Sequence, residues 1–520
     1  MVAVIFGGFA ALVGFLFLCV ILVVAIFDVT QKKHAILRNF PVLGHFRYLI
    51  ERVGPEFRQY IVARNDEERP YSRDERSWVY ASSKRENNYF GFGTDNDLVS
   101  DPNYLIIKHS VFPLDSPHKG QAGYDPQYRI PCGKILGNAR GRKKAFRPDS
   151  VINVSGMSFG SLSSVAVEAL NRGCKIAGCI QSSGEGSVSP YHNHGGELIW
   201  QIGTGYFGCR DADGGFSMER LLETVENFPT IRAIEIKLSQ GAKPGAGGIL
   251  PKSKITPEIA SIRGIPMDRD CISPASHKQF HDADSLLDFA ESIADRTGMP
   301  VGIKSAVGEL SFWFDLAGQM KSGTRGLDFI NIDGGEGGTG AAPLVFSDHV
   351  SLPFRQGFAR VRRIFMENGL DEDVVFFGAG RLGLPQTALF AFALGCDMIN
   401  VGRTAMLAVG CIQAQKCQTN HCPTGVATQK KWLMRGLDPE DKSARLANYV
   451  ITLRKELLAL SRACGAEHPG LVAADRLEVL NNRFGPKTMN ELFGWDSDRQ
   501  GSRSEEYHSA VKELMKSLSS

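Results

Sequence analysis

Apolar positions divide the chain into two regimes. Val2 through Phe27 carry no charged side chain and are dominated by Val, Phe, Leu and Ile. An apolar helix needs roughly 20 residues to cross a bilayer, so the run predicts a transmembrane helix over residues 1–27. A cleaved signal peptide would instead call for a positive n-region and an apolar core of about 7–15 residues. No Lys or Arg precedes this run, and basic residues follow it at Lys32, Lys33 and Arg38, which assigns that side to the cytoplasm. The expected location is the inner (cytoplasmic) membrane, single-pass, with the catalytic part in the cytoplasm.

From Val151 to Thr404 the pattern changes. Short apolar segments end in Gly, Ser or Lys, and most lead into a helix-like stretch: Val151–Ser155, Gly178–Ser182, Leu198–Ile202, Ala233–Leu238, Val301–Ser305, Phe329–Asp333, Val374–Gly378 and Met398–Gly402. Near-continuous apolar strands alternating with helices imply a parallel sheet. Eight such units predict an α/β fold, a (β/α)8 TIM barrel, with a long insertion between the fourth and fifth strands. Residues 28–130 read as a connector and small pre-domain, 131–430 as the barrel, and 431–520 as a helical C-terminal extension with a polar tail from about Asp496. In such a barrel the active site lies at the carboxyl ends of the strands.

Composition adds three constraints. A net charge of +3 without a concentrated basic surface argues against nucleic acid as a partner. The 56 glycines are clustered, which marks backbone that turns sharply or approaches a ligand. The 11 cysteines are odd in number and show no disulfide framework, in keeping with a reducing compartment.

Four groups of residues carry candidate chemistry. Cys411, Cys417 and Cys422, the last followed by Pro423, place three soft thiolates within one short segment. Iron, zinc and buried structural cysteines are all compatible with that spacing; His421 adjoins Cys422 and fits no familiar zinc motif. Second come the glycine-rich strand ends Asp333–Gly340, Gly378–Gly383 and Gly402–Thr404. Backbone amides at such turns bind anions, and barrels commonly bind phosphate after strands seven and eight, so a flavin mononucleotide phosphate fits; plain tight turns are the alternative. Gly378-x-Gly380-x-x-Gly383 also mimics a dinucleotide fingerprint, but a Rossmann domain would open with it instead of placing it after six strand units. Third, Lys237 closes a strand and Lys243 follows in a loop. One ammonium can stabilise the N1–O2 side of a reduced flavin and the other can hold a carboxylate, though each is also an ordinary surface group. Fourth, Ser155–Gly160 and Gln181–Gly186 close the first two strands with small residues that admit a flat ring, and Glu185 can orient a substrate nitrogen or simply be solvated.

Taken together, the stretches GMSFGS, SGEG, IKLSQGAKPG, DGGEGGTGAAP and GCIQAQKCQTNHCPTGVATQ resemble the FMN-dependent synthase domain of glutamate synthase over roughly residues 130–430. The resemblance implies a barrel holding FMN and a [3Fe–4S] cluster, an oxidoreductase that converts 2-oxoglutarate and ammonia to glutamate through 2-iminoglutarate. By the same resemblance Cys411, Cys417 and Cys422 ligate the cluster. Lys237 faces the flavin, while Lys243, Glu185 and Arg263 meet the 2-oxoacid, with Lys237, Glu185 and Lys243 as catalytic residues. Gly334, Gly335, Gly378, Gly380, Gly402, Arg403 and Thr404 surround the FMN phosphate, and Met157, Ser158 and Gln181 lie near the ring. Lys304, at another strand end, is a weaker candidate. The family reads Gly-Gly-Gln-Leu-Pro where this chain has Gly247-Gly248-Ile249-Leu250-Pro251. Losing that polar contact opens the substrate to a related 2-oxoacid. No glutaminase domain is visible, so ammonia is expected free or from a separate glutaminase subunit, and electrons from a ferredoxin-like or flavoprotein partner. Two other readings are a membrane-anchored electron-transfer subunit and an FMN oxidoreductase acting on another amino or 2-oxo acid.

Overall fold

The computed structural model describes residues 2–31, 34–99, 101–121, 123–321, 323–480, 485–495 and 503–518. Lys32 and Lys33, which oriented the span, lie outside the described residues, as does the beginning of the polar tail at Asp496.

Two compact units make up the chain, divided between Asp74 and Glu75. In the first, a helix runs from Val2 to Thr30 and is followed by helices Ala35–Asn39 and Gly44–Phe57 and a π-type turn, Arg58–Val62. Its segment Ala11–Thr30 has a mean hydropathy of 3.0 and is 6% buried. It is long and apolar enough to cross a membrane.

The second unit contains a closed barrel of eight parallel strands. They are β1 (Ile152–Val154), β2 (Gln181–Ser182), β3 (Leu198–Ile202), β4 (Ile231–Lys237), β5 (Val301–Ser305), β6 (Phe329–Asp333), β7 (Val375–Ala379) and β8 (Met398–Val401). Closure comes from β8 against β1, with Ile399, Asn400 and Val401 opposite Ile152, Asn153 and Val154. Nearly every strand residue is buried, because helices cover the outside and side chains fill the inside. That is why the strands read as apolar runs without alternation. Inside, Glu235 of β4 accepts from Gln201 Nε2 (2.5 Å) and Asn331 Nδ2 (2.8 Å), tying β3, β4 and β6 through one carboxylate.

Local signals set the helices. Ser163 caps the helix Ser164–Ala177, which ends at Gly178 with φ 62°. Against it packs the long helix Pro439–Ala463, so closely that a side chain at Gly173 would meet Leu446 at 2.8 Å. The insertion between β4 and β5 forms a two-stranded ribbon, Ile249–Leu250 with Cys271–Ile272, around the helix Pro257–Arg263.

The stretch read as connector and pre-domain divides between the two units. Its later part joins the barrel unit: Leu105–Ile107 pairs antiparallel with Leu477–Leu480, and the Trp78 indole donates to Glu456 (3.1 Å). The polar tail also carries structure. Arg503 is buried against Asp397 (2.8 Å), at the opposite end of β8 from the strand's carboxyl end, and the helix Glu505–Ser517 follows.

Candidate functional site

The carboxyl end of β4 delivers Lys237 into a pocket whose empty space, solvent included, is about 300 Å3. Glu185, Thr204, Gln240, Lys243 and the glycines 245, 247 and 248 also line it. Sequence-distant charges thus converge: Lys237 Nζ lies 3.1 Å from Glu185 Oε2. Both lysines are buried, and Lys243 Nζ reaches the Ala341 carbonyl at 3.4 Å. Glu185 stands where Gly203 and Gly248 leave room for it; a side chain at Gly248 would sit 2.5 Å from its Oε1.

Burial alone would raise the Glu185 carboxyl, but Lys237, Lys243 and Arg263 outweigh it and hold it at about 2. Burial, only partly countered by Glu185, pulls Lys243 down to about 8. The site therefore combines a carboxylate that stays ionised with an ammonium able to exchange a proton near neutral pH.

Two residues supporting Lys237 escaped the sequence reading. Gln240 Oε1 accepts from Lys237 Nζ (3.1 Å), and Gln240 Nε2 donates to the Gly338 carbonyl (2.8 Å), linking the β4 and β6 loops. His277 Nε2 hydrogen-bonds the Lys237 carbonyl (2.9 Å) and Nδ1 contacts Tyr206 OH (3.1 Å); burial lowers its pKa to about 4. Gln240 lies inside the IKLSQGAKPG stretch and could have been singled out there. Nothing in the spacing around His277 marks it.

Arg263 does not line this pocket. It is buried behind the β1 and β2 loops, donating to Ser158 Oγ (3.1 Å) and the Phe159 carbonyl (2.9 Å). Lys304 is engaged by Asp333 (3.4 Å), which also accepts from the Gly241 amide (3.0 Å).

The glycine-rich ends are less uniform than their composition. The Gly334 amide donates to Ala379 and the Gly335 amide to Leu352, so those N–H groups serve the fold. A side chain at Gly378 would meet the Phe354 ring at 2.8 Å, which makes it a packing glycine. Gly380, at φ 135°, needs its glycine for conformation. Arg403 donates to the Glu336 carbonyl, and Thr404 Oγ1 meets Tyr449 OH at 2.8 Å. At the end of β2, Gln181 Nε2 and Ser182 Oγ are buried with no hydrogen-bond partner among the described residues. Burying such groups unpaired costs about 1–3 kcal/mol each, so a polar ligand edge fits there. Met157 lies beside them, its backbone 3.0 Å from where a side chain at Gly184 would be.

The cysteine segment packs on the insertion. Lys254 donates to the carbonyls of Ser161 and Cys417, and Asn420 Nδ2 to the Ser253 carbonyl. Burial, opposed by the Gln413 amide and joined by the nearby charges of Cys417 and Cys422, raises the Cys411 thiol to about 12. Among the described residues no three His, Cys, Asp or Glu side chains are grouped closely enough to hold a metal ion. What the loop offers is donor type: three thiols, the soft ligands that iron–sulfur clusters take, with the buried Lys254 ammonium beside them.

Comparison with known proteins matches these features to one family. The family described as a conserved region in glutamate synthase matches residues 135–467. A glutamate synthase large subunit-like protein, YerD, of Bacillus subtilis is 35% identical over 90% of this chain and 94% of its own. The archaeal glutamate synthase [NADPH] of Methanocaldococcus jannaschii is 35% identical over 61% of this chain, which spans only 59% of that protein. A solved structure of flavocytochrome b2 aligns at 13% identity over 88% of this chain and 90% of that one; its TM-score, 0.42, supports no conclusion about this chain. With the match covering the barrel, the pocket and the cysteine loop, the chain belongs to the glutamate synthase family.

Proposed function

We propose that the protein is an FMN- and iron–sulfur-dependent glutamate synthase-like oxidoreductase that reductively aminates 2-oxoglutarate, or a related 2-oxoacid, with ammonia. The observation that carries this reading is the Glu185–Lys237–Lys243 cluster in the pocket at the end of β4. Bound FMN would supply the hydride that reduces an imine carbon. It would be held by Ser158, Gln181 and Lys237 at the ring and by Gly380, Gly402, Arg403 and Thr404 at the phosphate. Cys411, Cys417 and Cys422 would hold a [3Fe–4S] cluster that passes electrons in from a ferredoxin-like or flavoprotein donor.

The chain's own groups do the rest. Lys243 attracts a substrate carboxylate, and with its pKa near 8 it can give a proton to the oxygen that leaves as water when ammonia condenses with the ketone. Ionised Glu185 accepts N–H bonds from the incoming nitrogen and orients it. Arg263 braces the β1 and β2 loops from behind. The helix Ala11–Thr30 anchors the protein in the cytoplasmic membrane, single-pass, with the catalytic unit on the cytoplasmic side; its length and hydropathy support this.

Ile249 favours a second reading, a different 2-oxoacid. It directly follows Gly247 and Gly248, which line the pocket, at the position where the family carries a glutamine. Anaerobic turnover of the FMN-loaded protein with dithionite or reduced ferredoxin, 2-oxoglutarate and ammonium, followed by amino-acid analysis, tests both. Glutamate is the expected product. Flavin reoxidation with only another 2-oxoacid would change the substrate. No reoxidation with any of them would leave an electron-transfer subunit.

A further inference from the structure

The first unit carries an apolar surface that the proposed chemistry does not use. In the helix Gly44–Phe57 the residues Phe46, Leu49, Ile50, Val53 and Phe57 fall on one face, within about 100° of arc at 3.6 residues per turn. Four of them are more than half exposed: Phe46 64%, Leu49 55%, Ile50 64% and Phe57 56%. Tyr60 and Ile61 in the following turn are exposed as well. The opposite face is charged, with Arg47 paired to Glu51 at 2.9 Å.

This helix is tied to the end of the apolar span. Asp28, fully buried near the end of the helix Val2–Thr30, accepts from the Val42 amide (2.9 Å), and its other oxygen meets His45 Nε2 (2.9 Å). The first turn of Gly44–Phe57 is therefore held at the level where the span ends. A helix starting there, apolar along one face and charged along the other, has the pattern of one that lies in the headgroup–acyl boundary. Arg38, Arg47, Arg52 and Arg58 provide side chains long enough to reach lipid phosphates from that depth.

We infer that Gly44–Phe57 is an interfacial helix that buries Phe46, Leu49, Ile50 and Phe57 in the cytoplasmic leaflet, clamped to the transmembrane helix through Asp28. The occupant of the apolar face is lipid. The inference rests on the membrane anchor proposed above and extends it from a single tether to a defined orientation of residues 44–57.

Bromolipid quenching tests it on the full-length protein in vesicles of phosphatidylcholine and phosphatidylglycerol with brominated acyl chains. Single variants Phe46→Trp and Phe57→Trp report the apolar face and Glu51→Trp the opposite one, each read against the parent with its 5 native tryptophans. These positions lie outside the catalytic machinery, so turnover at the parent rate certifies folding. The expected result is added quenching at 46 and 57, and none at 51. Flotation with the vesicles but no added quenching at 46 and 57 overturns the interfacial helix while leaving the anchor standing; equal quenching on both faces does the same. Failure to float overturns the anchor, and this inference with it.

Discussion

Two lysines six positions apart divide the work of the site, and burial decides how. Lys237 is fastened on three sides, by Glu185, Gln240 and, through its carbonyl, His277. It is the more rigid of the two, suited to a fixed charge. On the proposed chemistry, Lys237→Ala should abolish glutamate formation while the visible absorbance of the reconstituted protein persists; retained turnover would remove Lys237 from the mechanism. Lys243 is the adjustable charge, with its pKa drawn to about 8. Below that pH its ammonium is present and, on the proposed chemistry, attracts the 2-oxoacid; as pH rises through about 8 the charge is lost. KM for the 2-oxoacid should therefore climb on the alkaline side when measured between roughly pH 6 and 10, and Lys243→Arg, which stays charged throughout, should flatten that limb. Glu185, held at about 2, adds no acid limb in this window.

At the scale of elements, the site depends on loops meeting across the top of the barrel. The β4 loop touches the β6 loop at Gly241, where a side chain would lie 1.9 Å from the Gly334 carbonyl oxygen. Backbone cannot yield as a side chain can. Gly241→Ala should lower the melting temperature by several degrees, at a cost on the order of 1–3 kcal/mol, and weaken FMN retention, checked by thermal unfolding and flavin release. All eight barrel strands were legible in the sequence, because buried parallel strands are apolar throughout and end at Gly, Ser or Lys where the chain turns out to the active face. The barrel reading put Glu185, Lys237 and Lys243 at strand ends on the active face, but their gathering around one substrate was implied only by the family resemblance. Which glycines are free was not legible. Gly334 and Gly335 spend their amides on Ala379 and Leu352, while Gly378 makes room for Phe354, and a motif does not distinguish these uses. Arg263, assigned to the substrate only through the family resemblance, donates to Ser158 behind the β1 and β2 loops, a placement that depends on how the insertion folds back.

For the whole molecule, the C-terminal segment matters more than its polarity suggests. Arg503 and Lys134 both pair with buried Asp397 at the foot of β8, at 2.8 and 3.1 Å. Burial works against the Asp397 carboxylate, and Arg503 and Lys134 outweigh it, so its pKa lies below the usual value. Arg503→Met leaves that carboxylate with one cation fewer and should cost about 3 kcal/mol, seen as an earlier guanidinium midpoint. Turnover at low temperature should be unchanged, because this cluster lies at the end of the barrel away from the pocket. A loss of activity without loss of stability would contradict that separation.

The sequence by itself determined the barrel, its strand order, the apolar helix ahead of it and the residue types at each strand end, since these depend on local pattern: burial on both faces, turn chemistry and length. Only the tertiary structure decided the partners. His277 under Lys237, Lys254 against the cysteine loop, Asp28 clamped to Val42 and His45, and Arg503 on Asp397 are contacts whose separation along the chain carries no periodic signal. Their energies come from burial and charge pairing, which exist once the chain has closed on itself.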